Sequence, residues 1–323
     1  MTSAVRVLLL TAGLGTRLRP LTCVRAKAAV PVNGEALVRR IIRWLAAHGF
    51  RDLVLNLHHR PATISSVVGD GSDLGVRIRY SWEQPVLGSA GGPRRALPLL
   101  VDDPGGDGNF LIVNGDTLTD VDLGAVLAAH EASRAAVTMA LIPNPRPDVY
   151  GGVQVSSDGW VTGFTRRGSP GQSYHFIGVQ AARASVFSPL VDGVPAESVG
   201  ALYPALIARD PRAVRAFVCE ASFRDIGTPR DYFETSLALA DIEGGRLISA
   251  VGTVIAASAQ ITRTIIWDDV RIGARARLTD CILADGVRIP EDARHEGCTM
   301  VRADQASAGD REGAQGGLVI TRL

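Results

Sequence analysis

The chain is short of cysteine, of net charge and of long apolar runs, and each shortage removes a class of function. Its four cysteines, Cys23, Cys219, Cys281 and Cys298, show no CxxC spacing, and glycine and charge break up the apolar residues near the N-terminus before a signal peptide can form. These features predict a cytoplasmic protein with reduced thiols. No stretch approaches the roughly 20 apolar residues that span a bilayer, so no membrane role is expected. The formal net charge is +1 over 323 residues, which offers no general attraction to nucleic acid or to an anionic membrane surface. Any anion that this protein binds is therefore held by local groups.

What the chain does have is core. Hydrophobic residues make up 46% of it, ample for one large domain and a smaller one. Short aliphatic runs at Val5–Leu10, Leu53–Leu57, Val76–Tyr80, Phe110–Val113 and Val137–Ile142 alternate with amphipathic stretches such as Ala36–His48 and Leu123–Arg134. Strand and helix in alternation predict an α/β fold, a Rossmann-like, doubly wound, mixed and mostly parallel sheet that takes its ligands beyond the carboxyl ends of the strands. This catalytic domain is expected over residues 1–240.

Past about residue 245 the texture changes. "VRIGARARLTDCIL" from Val270 and "VRIPEDARHEGCTM" from Val287 share Val, Arg, Ile, Ala, Arg and Cys at a shift of 17 residues. Apolar triplets begin at 259, 265, 270, 276, 281 and 287, giving spacings of 6, 5, 6, 5 and 6. That is the rhythm of three flat faces per coil in a hexapeptide-type left-handed β-helix, expected here over residues 245–303 with a structural or oligomerising role. Residues 304–323 read as a tail, in which "LVITRL" is able to add one more strand.

"LLLTAGLGTRLRPLT", Leu8 to Thr22, ends an aliphatic strand in two glycines and two arginines. A glycine loop lets backbone N–H groups approach a ligand closely, and arginine suggests that the ligand is anionic, with phosphate the first choice. The two common phosphate cradles do not fit. No GK[ST] follows, and Leu18 stands where the third glycine of GxGxxG belongs.

The stretch Ala12–Thr22 reads A-G-x-G-T-R-L-x-P-L-T, and Lys27 follows in "AKAAVPV". On these residues the chain resembles the sugar-1-phosphate nucleotidyltransferases, the nucleotide-sugar pyrophosphorylases. Three further elements in the same order extend the resemblance: "QPVLGSAGG" (Gln84–Gly92), "VNGDT" (Val113–Thr117) and "FRDIGTPRDY" (Phe223–Tyr232). One departure is that Ala26 and Ala28 replace the prolines that flank the family's lysine.

The resemblance implies attack by a sugar-1-phosphate oxygen on the α-phosphorus of a nucleoside triphosphate, with pyrophosphate leaving. It implies catalytic roles for Arg17, Lys27, Asp116 and Asp225, the two aspartates holding Mg²⁺. Nucleotide contacts fall on Leu10, Ala12, Gly13, Gly15, Thr16, Arg17, Gln84, Gly88, Ser89, Ala90 and Gly115. Arg19 and Arg25 are read either as auxiliary cations or as solvated surface charges. A phosphate monoester is already ionised near neutral pH, its second pKa being about 6, so no general base is required and the lack of a catalytic triad is explained.

On the sugar side Tyr150, Gly151, Arg166, Arg167, Gly178 and Glu197 are the expected contacts. Here the chain departs most from the family. Arg166 and Arg167 replace a Glu-Lys pair, Gly178 closes Phe176-Ile177-Gly178 where an Asn-Ala-Gly element is usual, and Glu197 offers a carboxylate in exchange. The pattern of loop and coil points to a mannose-1-phosphate guanylyltransferase-like enzyme with GTP as donor, acting as a homo-oligomer. Two other readings share these residues: a uridylyl- or thymidylyltransferase for glucose-1-phosphate or an amino-sugar-1-phosphate, and a catalytically silent subunit that binds nucleotide sugar.

Overall fold

The computed structural model describes residues 5–103, 108–245, 247–249 and 251–323, apart from the side chains of 312 and 313. Positions 246 and 250 of the expected coil lie outside the described residues. The chain divides into two units, one of Met1–Gly13, Ile41–Pro61 and Val68–Arg224, the other of Leu14–Arg40, Ala62–Val67 and Asp225–Leu323.

Val7, Leu8 and Leu9 are fully buried because the strand Arg6–Leu10 lies inside a nine-stranded sheet of the first unit, with parallel neighbours on both edges. Leu8 pairs with Val54 of Asp52–Leu57 on one side and with Ile112 of Asn109–Asn114 on the other. A strand covered on both faces reads as an unbroken aliphatic run, which is what the sequence shows. Arg77–Trp82 extends the parallel part outward from Asp52–Leu57. Beyond Asn109–Asn114 the sheet turns antiparallel through the long strand Tyr174–Arg183, so the sheet is mixed. The carboxyl ends of the first three strands therefore share one edge, where Thr11, His58 and Gly115 begin their loops.

In the second unit the 17-residue repeat becomes three ladders of parallel strands. Ile255, Ile272 and Ile289 stack in one, Gln260, Arg277 and Arg294 in the next, and Ile265, Ile282 and Thr299 in the third. Ile272, Ala276, Leu278, Cys281, Leu283 and Val287 point inward and form the core of this coil. The corners require left-handed backbone, and Asp269, Gly286, Asp280 and Gly297 supply it with φ of 57°, 70°, 52° and 60°. Leu318–Arg322 pairs antiparallel with Cys298–Arg302 and adds a fourth strand to the third ladder. Among the described residues no helix is long and apolar enough to cross a membrane.

Candidate functional site

In the first unit the start of the phosphate loop is fixed by a buried polar chain. Asn56, 3% exposed, turns its Oδ1 to the backbone N–H groups of Thr11 (2.6 Å) and Ala12 (3.3 Å). Its Nδ2 donates to Glu83 Oε1 at 2.7 Å, and the other oxygen of Glu83 accepts from the Leu87 N–H at 2.8 Å. Glu83, 4% exposed, thus ties the opening loop to the start of "LGSAGG". Neither residue was singled out from the sequence. A polar Asn inside an aliphatic strand and an acid just before Gln84-Pro85 were the available signals.

Gly115 donates its N–H to the Leu10 carbonyl at 2.9 Å, and a Cβ there would lie 2.5 Å from that oxygen. Only glycine permits this approach, which sets Asp116 at the sheet edge. The same logic governs Gly88, where φ is +76° and a Cβ would meet the Ala196 carbonyl at 2.8 Å. Ser89 Oγ donates to Glu197 Oε2 at 2.7 Å and accepts from the Ser198 N–H at 2.9 Å, while the Ala90 N–H reaches the Ala196 carbonyl at 2.9 Å. Glu197, expected on the sugar side, is thereby bonded to the nucleotide loop.

Of the other sugar-side residues, Tyr150 stacks on His175 with ring centroids 4.3 Å apart, and Phe223 closes the cluster 4.6 Å from His175. Burial pushes the His175 imidazole down to about 4, so it is neutral at physiological pH. His175 was not anticipated. Gly178, with φ of +80°, packs against Asn114, whose Cβ would stand 2.8 Å from any added carbon. Gly151 lies beside the Thr165 carbonyl, and Arg166 and Arg167 are exposed just after the strand Val161–Thr165.

The second unit brings together three of the four expected catalytic residues. Gly15 takes φ of +61° with its α-carbon face against Thr22 and Lys27, and the Thr22 hydroxyl donates to the Gly15 carbonyl at 2.9 Å. This folds Thr16–Leu18, Leu21–Cys23 and Lys27–Ala29 into successive single turns. Arg17 Nη1 and Lys27 Nζ each lie 3.9 Å from an oxygen of Asp225. Arg17 is 64% exposed, whereas Lys27 and Asp225 are each 13% exposed, so one cation faces solvent and the other is enclosed.

Within the "DIGTP" element Gly227, Thr228 and Pro229 each have a local reason. A Cβ on Gly227 would meet Asp225 Oδ2 at 2.6 Å and Arg17 Nη1 at 3.1 Å. Thr228 caps the helix Pro229–Glu243, accepting from the Asp231 N–H at 3.1 Å, while Asp231 reaches back to the Thr228 N–H at 3.0 Å. Pro229 opens the helix where a missing N–H costs nothing.

Arg25 is neither solvated nor loosely placed. Its Nε and Nη2 clasp Asp285 at 2.7 Å each, Nη2 also reaches Asp268 at 2.5 Å, and its guanidinium lies 5.3 Å from the Trp267 ring centre. Burial opposes its charge, and the two carboxylates outweigh that and hold its pKa above the ordinary value. Arg19, in contrast, is exposed. Among the described residues no cluster of three or more His, Cys, Asp or Glu side chains is placed to hold a metal. Magnesium needs no such cluster, since one or two carboxylates suffice when phosphate oxygens complete its shell, and the hard carboxylate oxygens of Asp225 in the second unit suit it.

The Nucleotidyl transferase family profile matches residues 6–242, and that of the GlmU-like, C-terminal hexapeptide matches residues 240–299. The chain is 29% identical over 299 residues to mannose-1-phosphate guanylyltransferase of Mycobacterium tuberculosis, covering 84% of this chain and 82% of that protein. It is 35% identical over 205 residues to N-acetylmuramate alpha-1-phosphate uridylyltransferase of Neisseria meningitidis, covering 62% of this chain and 84% of that one. Among solved structures, HddC from Yersinia pseudotuberculosis complexed with GMP-PN matches with a TM-score of 0.61 and 20% identity over 73% of this chain and 99% of that one. A putative glucose-1-phosphate thymidylyltransferase from Bacillus anthracis matches at 0.64 and 19% over 75% and 98%. These two likenesses establish the fold, a Rossmann-like mixed sheet, and the hexapeptide match accounts for the left-handed coil that follows it. The first match alone spans well over half of the chain, which therefore belongs to the nucleotidyl transferase family.

Proposed function

We propose that this protein transfers a nucleoside monophosphate from a nucleoside triphosphate to a sugar-1-phosphate and releases pyrophosphate, with GTP and mannose-1-phosphate as its pair. The observation that carries the reaction is the grouping of Arg17, Lys27 and Asp225, two cations on one carboxylate, in a family of nucleotidyl transferases. The presence of all three, with Asp116, favours an active enzyme over a silent binding subunit. The pair is favoured by the guanylyltransferase likeness, which extends over both the sheet and the coil.

In this reading the backbone around Gly13 and Gly15 accommodates the triphosphate, and exposed Arg17 binds the β- and γ-phosphates that leave. Enclosed Lys27 lies against the transferring phosphoryl group, where charge builds in the transition state. Asp116 and Asp225 would hold Mg²⁺, which neutralises charge on that group and on the leaving pyrophosphate. The nucleophile arrives ionised, so no side chain of this protein has to remove a proton from it. Glu197 beside Ser89 supports guanine, because a carboxylate suits a base edge that offers the N1–H and the N2 amino group as paired donors. Tyr150, His175 and Phe223 would give the sugar an aromatic wall, with Arg166 and Arg167 as cations for its phosphate.

A cytoplasmic, homo-oligomeric protein completes the reading. Four cysteines, none in a disulfide, support the first part, and the exposed side chains of Ile242, Val251 and Val254 support the second.

The second reading, a uridylyltransferase for an acidic amino-sugar phosphate, is favoured by the 35% likeness to the N-acetylmuramate enzyme. Pyrophosphate release from a panel of four NTPs against mannose-, glucose- and N-acetylmuramate-1-phosphate separates the two. Fastest release with GTP and mannose-1-phosphate is expected. Fastest release with UTP and N-acetylmuramate-1-phosphate would establish the second, and none from any pair would leave only the silent subunit.

A further inference from the structure

Lys27 sits in a loop that the coil holds directly on one side and through Tyr232 of the helix Pro229–Glu243 on the other. Two residues before it, Arg25 is clasped by Asp285 and Asp268, which occupy equivalent corners of successive turns 17 residues apart. The Asp268 N–H donates to Asp285 Oδ1 at 3.1 Å and the Ser249 hydroxyl bonds Asp268, so the acidic pair is itself held in place. Four residues after Lys27, the Pro31 carbonyl accepts from the Tyr232 hydroxyl at 2.5 Å, and that hydroxyl accepts from Trp267 Nε1 at 2.9 Å. Trp267 is fully buried and packs against both Arg25 and Tyr232, with ring centres of the aromatic pair 6.3 Å apart. One indole thus joins both ends of the lysine loop to the first turns of the coil. A repeat that served only to stiffen the chain or to oligomerise it would not need to place a buried tryptophan and two partly buried carboxylates against a loop more than 200 positions earlier in the sequence.

We infer that Arg25 is a positioning residue for Lys27, and that the coil, through Asp268, Asp285 and Trp267, fixes where the lysine ammonium stands in the catalytic reaction. The inference rests on the role given to Lys27 above. A rigid clasp matters for such a group because displacement of about 1 Å costs up to about 100-fold in rate when catalysis depends on placed charge. Arginine suits the clasp, as its planar fork bonds two carboxylates at once, and lysine would keep the charge but lose one arm.

The test uses the full-length protein. Arg25→Gln should lower kcat about 10- to 100-fold with KM for the NTP changed less than about threefold, and Arg25→Lys should recover part of the loss. In a Lys27→Ala background the same Arg25→Gln change should add less than about threefold, since a residue acting through the lysine has nothing left to position. A kcat within about twofold of the parent in Arg25→Gln, or losses that multiply in the double variant, would overturn the inference. Asp285→Asn, which keeps the size of the side chain, serves if Arg25→Gln does not fold. Hydrogen exchange supplies a readout independent of turnover: amides of residues 24–32 should exchange at least about tenfold faster in Asp285→Asn than in the parent, and equal rates would overturn the inference. A parent protein that turns over no substrate pair would defeat the proposed function, while the exchange result would still decide whether the coil holds the loop.

Discussion

Arg17 is mostly exposed and lies 3.9 Å from an Asp225 oxygen, and the proposed reading gives it to the β- and γ-phosphates rather than to the fold. Arg17→Lys keeps the charge but loses the two-armed contact with phosphate oxygens. It should therefore lower kcat by an amount equivalent to about 2 to 3 kcal/mol, the usual scale for one preorganised donor facing developing charge, with a smaller change in KM. Steady-state kinetics in both substrates checks this, and a pure KM effect would restrict Arg17 to ground-state binding. Asp225→Asn and Asp116→Asn should each abolish most turnover, and the double variant should be little worse than either single one if both serve the same ion. Titration of activity with Mg²⁺ in each variant is the measurement. The sequence singled out these charges because each stands in a short contiguous motif. It gave no such notice of Glu83 or Asn56, whose bond joins segments 27 residues apart and needs the strands Asp52–Leu57 and Arg77–Trp82 to be adjacent first.

At the level of the element, the opening loop explains its second glycine. Gly15 needs φ of +61°, and a Cβ there would lie 2.7 Å from the Thr22 methyl group. Gly15→Val should abolish NTP binding, read by calorimetry, and lower the melting temperature as well, because the loop is strained before any phosphate enters. The helix Leu123–Ser133 carries a second prediction. His130, 1% exposed, bonds Thr138 and Asn109, and burial pushes its pKa down to about 4. The unfolded chain takes up this proton below about pH 6.5 while the folded one resists it until about 4, so the stability it contributes is present above pH 6.5 and falls as pH drops between those values. Urea unfolding at pH 7 and pH 4.5 should show roughly 2 to 3 kcal/mol less loss in His130→Gln than in the parent, and equal losses would contradict the assignment. Periodicity revealed the strands and the 17-residue coil because both are written in consecutive residues. The corner acids Asp268 and Asp285 were invisible as partners, since their arginine lies 243 and 260 positions away.

For the whole molecule the grouping of segments in space matters more than the order of motifs. The loop Leu14–Arg40 belongs with Asp225–Leu323 and not with the sheet that precedes it in sequence. A coil with only the structural or oligomerising role expected from its repeat could be removed past about residue 245 with turnover unchanged. The clasp on Arg25 predicts otherwise: truncation should lower kcat sharply even where the remaining chain folds, measured beside circular dichroism. A truncated protein with full turnover would return the coil to a structural role.

The most direct test of the central claim follows the α-phosphorus. With GTP labelled at the α-phosphate, mannose-1-phosphate and Mg²⁺, the label should appear in a nucleotide sugar and none of it in the released pyrophosphate. Label that remains in GTP with every sugar-1-phosphate offered, or that leaves with the pyrophosphate, would contradict nucleotidyl transfer by this protein.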